Sequence, residues 1–172
     1  DSFFSIGGHS LLAMKVIASL RDKVGSEIPL RIVFEYPTPE GLASQITHNT
    51  SWPYNPLLPL QTKGTKLPIF CVHPGGGFGT VYQNLSHALG PDQPVWAFQA
   101  RGIGQEEALH ESMDHMIEEY IAAMRSVQPS GPYTLLGWSS GGTVAHAMAV
   151  RLEDEGDTVS AVILMDLSLI HI

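Results

Sequence analysis

The chain has 172 residues, 44% hydrophobic and 15% charged, with a formal net charge of -8. Its apolar content is enough to bury a core and excludes a disordered chain, and its length fits one ordinary domain or a small one plus part of a larger one. Only 9 residues are Lys or Arg and they do not cluster, which argues against nucleic acid or an anionic membrane surface as partner.

The single cysteine, Cys71, excludes an internal disulfide. No signal peptide opens the chain and no apolar run reaches the roughly 18 residues of a membrane span, so the cytoplasm is the expected compartment. From Ser10 onward, Leu11, Leu12, Met14, Val16, Ile17 and Leu20 recur at helical spacing. That predicts a helix over 10–21, with Gly7-Gly8 as a flexible approach and Ser10 at or near the N-cap. Gly25-Ser26 predicts a turn, and Tyr36-Pro37 ends a short helical piece that runs through Phe34. Thr38 is a capping signal for a third helix, with Pro39 first, Glu40 in the first turn, and Leu42, Ala43 and Ile46 facing inward. Residues 48–66, with Pro53, Pro56, Pro59 and Gly64 and little periodicity, read as linker.

Beyond the linker, short β-rich runs alternate with helical patterns, which predicts a mainly parallel sheet flanked by helices. Strands are expected at 69–73, 95–99, 133–138 and 159–166, and helices at 80–89, 113–127 and 140–155. In the middle helix Ser112 is the candidate cap, and Met113, Met116, Ile117, Tyr120, Ile121 and Met124 form a stripe expected to be core.

Two serines carry chemistry. Ser10 follows Gly7-Gly8-His9 at a helix start, where unpaired backbone N–H groups meet an incoming phosphodiester. The bland alternative is simple helix capping. Ser139 lies in Gly137-Trp138-Ser139-Ser140-Gly141 between a predicted strand and a predicted helix. Such a turn exposes a serine nucleophile, and the N–H of Ser140 can point at a developing oxyanion. His73-Pro74-Gly75-Gly76-Gly77-Phe78-Gly79 ends the first strand of the α/β part, where a glycine loop can supply a second N–H. No Lys-Ser or Lys-Thr pair follows, so a phosphate loop is disfavoured. His73 is read as a loop anchor rather than a base, because it precedes the nucleophile. His48, His87, His110 and His115 read as linker or surface residues, and His146 lies inside the helix after Ser139. The eight histidines show no metal-ligand spacing, so no metal is expected. Cys71 reads as a small buried hydrophobe, and Trp138 as either core or a neighbour of the acyl channel.

The unit Asp1-Ser2-Phe3-Phe4-Ser5-Ile6-Gly7-Gly8-His9-Ser10-Leu11 resembles the phosphopantetheine attachment site of peptidyl carrier proteins in nonribosomal peptide synthetases. The Gly137–Gly141 elbow resembles that of an α/β-hydrolase, and a carrier followed by a hydrolase resembles a chain-releasing thioesterase module. The resemblance implies a partial all-α carrier four-helix bundle at 1–47 whose first helix lies upstream. The linker at 48–66 then leads to the N-terminal part of an α/β-hydrolase at 67–166. It implies a covalent 4′-phosphopantetheine on Ser10, installed from coenzyme A by a phosphopantetheinyl transferase. Upstream condensation and adenylation domains and a peptidyl thioester substrate are the other implied partners. It implies Ser139 as nucleophile, Gly75 (with Gly76 as fallback) and Ser140 as oxyanion donors, and Asp166, 166 - 139 = 27 residues on, as the acid. Release would end in hydrolysis or macrocyclisation. In this chain order the histidine comes last, beyond residue 172, so the chain alone is expected to be inactive in release. An acyl-binding role alone, or the terminus of a polyketide or hybrid synthase, are the alternatives. Residues 167–172 can be written in codons as CTG TCT CTT ATA CAC ATC, which looks like a transposon sequencing adapter, so a non-native tail is expected there.

Overall fold

The computed structural model describes residues 1–49, 52–103 and 108–167. The chain divides into two compact units, one built on Asp1–Asn55 and one that starts at Pro56.

The first unit has three helices: α1 (Ser10–Val24), α2 (Arg31–Glu35) and α3 (Pro39–His48). Gly25 ends α1 in a left-handed conformation, which glycine adopts without steric cost. Thr38 caps α3 as expected, its hydroxyl accepting from the Gly41 N–H at 3.1 Å, with Pro39 at the first helical position. The small core consists of Ala13, Ile17, Ile28, Leu30, Ile32, Val33 and Phe34. The expected inward face of α3 is not closed: none of its residues is buried, and Leu42, Ala43 and Ile46 line an apolar cleft of about 530 Å³ with Val16 and Leu20 of α1.

The second unit carries five strands in the order β1-β3-β2-β4-β5: β1 (Leu57–Gln61), β2 (Ile69–Val72), β3 (Val95–Phe98), β4 (Tyr133–Trp138) and β5 (Val159–Met165). Pairing is parallel except that β1 runs antiparallel to β3. Strand β1 corrects the linker expectation for 48–66. Its alternation is masked because Leu57 and Leu58 are both buried, and Pro59 argued against a strand. Proline is tolerated on an edge strand that pairs on one side only, and here the register shifts between Pro59 and Gln61. The four other strands lie within a residue of expectation.

The helix expected at 80–89 is split into a 3-10 turn (Gly79–Tyr82) and α4 (Gln83–Leu89). Then come α5 (Met113–Val127), capped by Ser112 through the His115 N–H, and α6 (Ser140–Asp154). Helices α5 and α6 pack on each other, and α6 lies over β2, β4 and β5. The α5 stripe buries Ile117, Tyr120, Ile121 and Met124, whereas Met113 is exposed. Around them sit Phe70, Phe98, Tyr133, Leu135, Met148 and Leu152, with the Phe98 and Tyr120 rings stacked at 4.5 Å. Each such aliphatic or aromatic side chain contributes about 1.5–3 kcal/mol on burial.

The chain turns one way from β2 to reach β3 and the other way to reach β4. Loops leaving the carboxyl ends of β2 and β4 therefore diverge, which opens a crevice where ligands bind in parallel sheets.

Candidate active site and carrier serine

In the first unit, Ser10 is the first residue of α1 and His9 takes the cap position without a side-chain hydrogen bond. Ser10 is half-buried, and Ile6, Leu11 and Leu12 beside it are exposed. The preceding loop is pinned by Phe4, whose ring lies 4.9 Å from that of Phe34 on α2, and by the Gly8 N–H, which donates to the Phe3 carbonyl at 2.9 Å. A side chain on Gly8 would run into that same carbonyl and the Phe3 ring, while Gly7 has φ 97°. The Gly-Gly pair thus lets the loop fold back on Phe3 and present Ser10 at the helix start. First-turn N–H groups of a helix lack intrahelical acceptors, so a phosphodiester on this hydroxyl finds donors and a partly open face. The residues present fit a covalent phosphopantetheine.

In the second unit, Ser139 stands between β4 and α6 at φ 55°, ψ -127°, a conformation that non-glycine residues rarely adopt and that costs about 1–3 kcal/mol. The flanking glycines explain how the turn closes. A side chain on Gly137 would strike the Gly141 carbonyl, and one on Gly141 would lie 2.5 Å from the carbonyl oxygens of both Val72 and His73. Helix α6 therefore starts pressed against the ends of β4 and β2. Opposite it, a side-chain carbon built on Gly75 would lie 3.4 Å from Ser140 Oγ, so the glycine loop directly faces the first turn of α6. Asp166 follows the last residue of β5 at φ 47° and is exposed. Because Trp138 pairs with Met165, Asp166 leaves β5 beside the point where Ser139 leaves β4. Ser139, Ser140, Gly75 and Asp166 thus all follow the carboxyl ends of the parallel strands, whereas Ser10 belongs to the other unit.

His73 is buried, with Nδ1–H donating to the Pro74 carbonyl at 2.8 Å. Nε2 then accepts from the Tyr120 hydroxyl, also at 2.8 Å. Burial pushes this imidazole below its ordinary pKa; the bond to Pro74 opposes that and His110 adds to it. With Nδ1–H bonded to Pro74 and the Nε2 lone pair taken by Tyr120, the ring is held in place at the start of the glycine loop, in keeping with the expected anchor. Expecting His110 at the surface was wrong. Its side chain is 4% exposed and bonds Glu119 Oε2 at 2.6 Å, and Arg101 donates to both oxygens of that carboxylate. For Glu119, burial pushes upward, but the bonds from Arg101 and His110 outweigh it and hold the carboxyl below its usual range. Trp138 is 39% exposed, which rules out the core alternative. Cys71 is fully buried, as expected. Of the tail expected to be non-native, residues 168–172 lie outside the described residues.

One residue near the site was not singled out from the sequence. Tyr82 Oη donates to the Val72 carbonyl at 2.6 Å and accepts from the Trp138 N–H at 2.9 Å. Burial pushes this phenol's pKa up, against the pull of the Trp138 N–H, so it stays protonated and able to donate. Within an expected helix it carried no signal except being a tyrosine.

A mainly parallel sheet with a strained serine between strand and helix, and a glycine loop facing the first turn of that helix, defines an α/β-hydrolase. Residues 67–171 match the thioesterase domain family, to which the chain belongs, and residues 1–46 match the phosphopantetheine attachment site family. A dimodular nonribosomal peptide synthase of Bacillus subtilis (strain 168) is 46% identical over 167 residues, covering 96% of this chain and 7% of that protein. Malpinin synthetase of Mortierella alpina is 44% identical over 171 residues, 96% of this chain and 2% of that protein. The chain thus spans a small fraction of these relatives' length. The crystal structure of a four-domain nonribosomal peptide synthetase bound to AMP and glycine superposes with a TM-score of 0.66 at 33% identity, covering 97% of this chain and 13% of that one. The NocB thioesterase domain from the nocardicin cluster gives a TM-score of 0.54 at 35% identity, over 59% and 45% of the two chains.

Proposed function

We propose that this chain is the carrier and chain-releasing thioesterase portion of a nonribosomal peptide synthetase, with Ser10 bearing the phosphopantetheine and Ser139 acting as nucleophile. When attached, the arm supplies a thiol that carries the peptidyl group as a thioester. Ser139 attacks that carbonyl, held outward by its positive φ. The N–H groups of Gly75 and Ser140 hold the tetrahedral oxygen, an interaction for which each donor typically contributes about 10²–10³ in rate. Thiol leaves, the acyl group rests on Ser139, and water or a nucleophile of the peptide itself releases it by hydrolysis or macrocyclisation. Asp166 orients and stabilises the histidine that takes the Ser139 proton, a role assigned to none of His48, His73, His87, His110, His115 or His146. The partners are a phosphopantetheinyl transferase with coenzyme A, and upstream condensation and adenylation domains. The compartment is the cytoplasm, where coenzyme A and the transferase are available.

The observation that carries this reading is the strained Ser139 at the turn after β4, with Gly75 of the glycine loop facing the next residue, Ser140, across the crevice between β2 and β4. Its test is release by the synthetase carrying this chain. Ser139→Ala should leave product bound to the carrier, and Ser10→Ala should prevent loading of any arm, read as no mass gain with coenzyme A and transferase. Release by Ser139→Ala at the unaltered rate, or equal mass gain in Ser10→Ala, would overturn it.

A further inference from the structure

Strands β2 and β4 pair as far as Val72 opposite Gly137. Beyond that rung they part, β2 running through His73 into the glycine loop and β4 through Trp138 into Ser139. At this fork stands the phenol of Tyr82, 2% exposed, at the end of the 3-10 turn. One hydroxyl serves both strands, donating to the last carbonyl of β2 and accepting from the last N–H of β4. The same Val72 carbonyl is one of the two atoms against which Gly141 of α6 is pressed. The glycine loop, Ser139 and the first turn of α6 are therefore referenced to a single side-chain oxygen. Such a bridge can set how far the strands splay, and with it the separation of Gly75 from Ser139 and Ser140.

We infer that Tyr82 is a positioning residue for release, its hydroxyl fixing the spacing between the nucleophile and the oxyanion donors; this rests on the reading of Ser139 given above. Reacting groups displaced by about 1 Å can lose on the order of 10²-fold in rate, without the substrate binding less tightly.

The test is Tyr82→Phe in the synthetase carrying this chain, which removes one oxygen and keeps the ring. Release should fall about 10- to 100-fold in kcat with KM within about twofold. Tyr133→Phe serves as the matched control. It deletes a hydroxyl that donates to the Gln128 carbonyl at 3.2 Å, at the opposite end of β4 from Ser139, and kcat should not change. An unchanged kcat in Tyr82→Phe, an equal loss in Tyr133→Phe, or failure of Tyr82→Phe to fold would each overturn the inference, the last by making the bridge a matter of stability. Full release by Ser139→Ala would instead sink the nucleophile reading itself.

Discussion

The backbone N–H of Ser139 donates to the carbonyl of Met165 at 2.9 Å, a bond that ties the turn after β4 to the end of β5. The next residue, Asp166, and Ser139 itself are the two non-glycine residues with positive φ among the described residues. Two adjacent parallel strands therefore end side by side in positive-φ turns, each at a polar residue.

Strain at Ser139 makes a stability prediction. Glycine adopts φ near 55° freely, so Ser139→Gly should raise the unfolding free energy by about 1 kcal/mol, after the entropy that glycine adds to the unfolded chain. Ser139→Ala should not. Urea denaturation of both variants followed by circular dichroism checks this, and equal midpoints would show that the turn carries no strain.

Gly141 and Gly142 should respond differently to alanine. The added carbon at Gly141 meets the Val72 and His73 carbonyls at 2.5 Å, rigid backbone on a neighbouring strand, whereas at Gly142 the nearest atom, at 2.9 Å, is the far end of the Leu167 side chain. We expect Gly141→Ala to cost about 1–3 kcal/mol and Gly142→Ala distinctly less, because a side chain can rotate aside and a paired strand cannot. Denaturation midpoints of the two variants decide it.

Cys71 is fully buried on β2, and burial pushes its thiol up to about 12. Thiolate, the reactive form, should be nearly absent in the folded protein. Iodoacetamide at pH 8 should leave the native protein unmodified and label it quantitatively in denaturant. Rapid labelling under native conditions would mean that β2 opens easily.

Acid should weaken the second unit through His73. Its folded pKa lies below the ordinary value of about 6.5, so as pH falls through that value the unfolded chain takes up a proton that the folded chain does not. Stability is full above about pH 6.5, declines below it, and levels off once the folded imidazole also protonates. Glu119, held low, adds a loss at still lower pH, as pH falls through its folded value. Urea midpoints between pH 7.5 and 5.5 should drop in the unaltered chain and drop less in His73→Gln.

Sequence alone determined the local elements and the chemical types at the site. Four strands, the caps at Thr38 and Ser112 and the two serine motifs were legible because period, capping and glycine spacing are set by neighbours along the chain. It did not reveal β1, whose Pro59 is acceptable only because this strand lies at the sheet edge, or the buried state of His110, which depends on Glu119 and Tyr120 of α5. Nor did it reveal that Tyr82 bridges Val72 and Trp138, residues 10 and 56 positions away. Tertiary structure decided these because each depends on a partner brought close by sheet order and helix packing, and no pattern within a few residues encodes which distant carbonyl or carboxylate that partner will be.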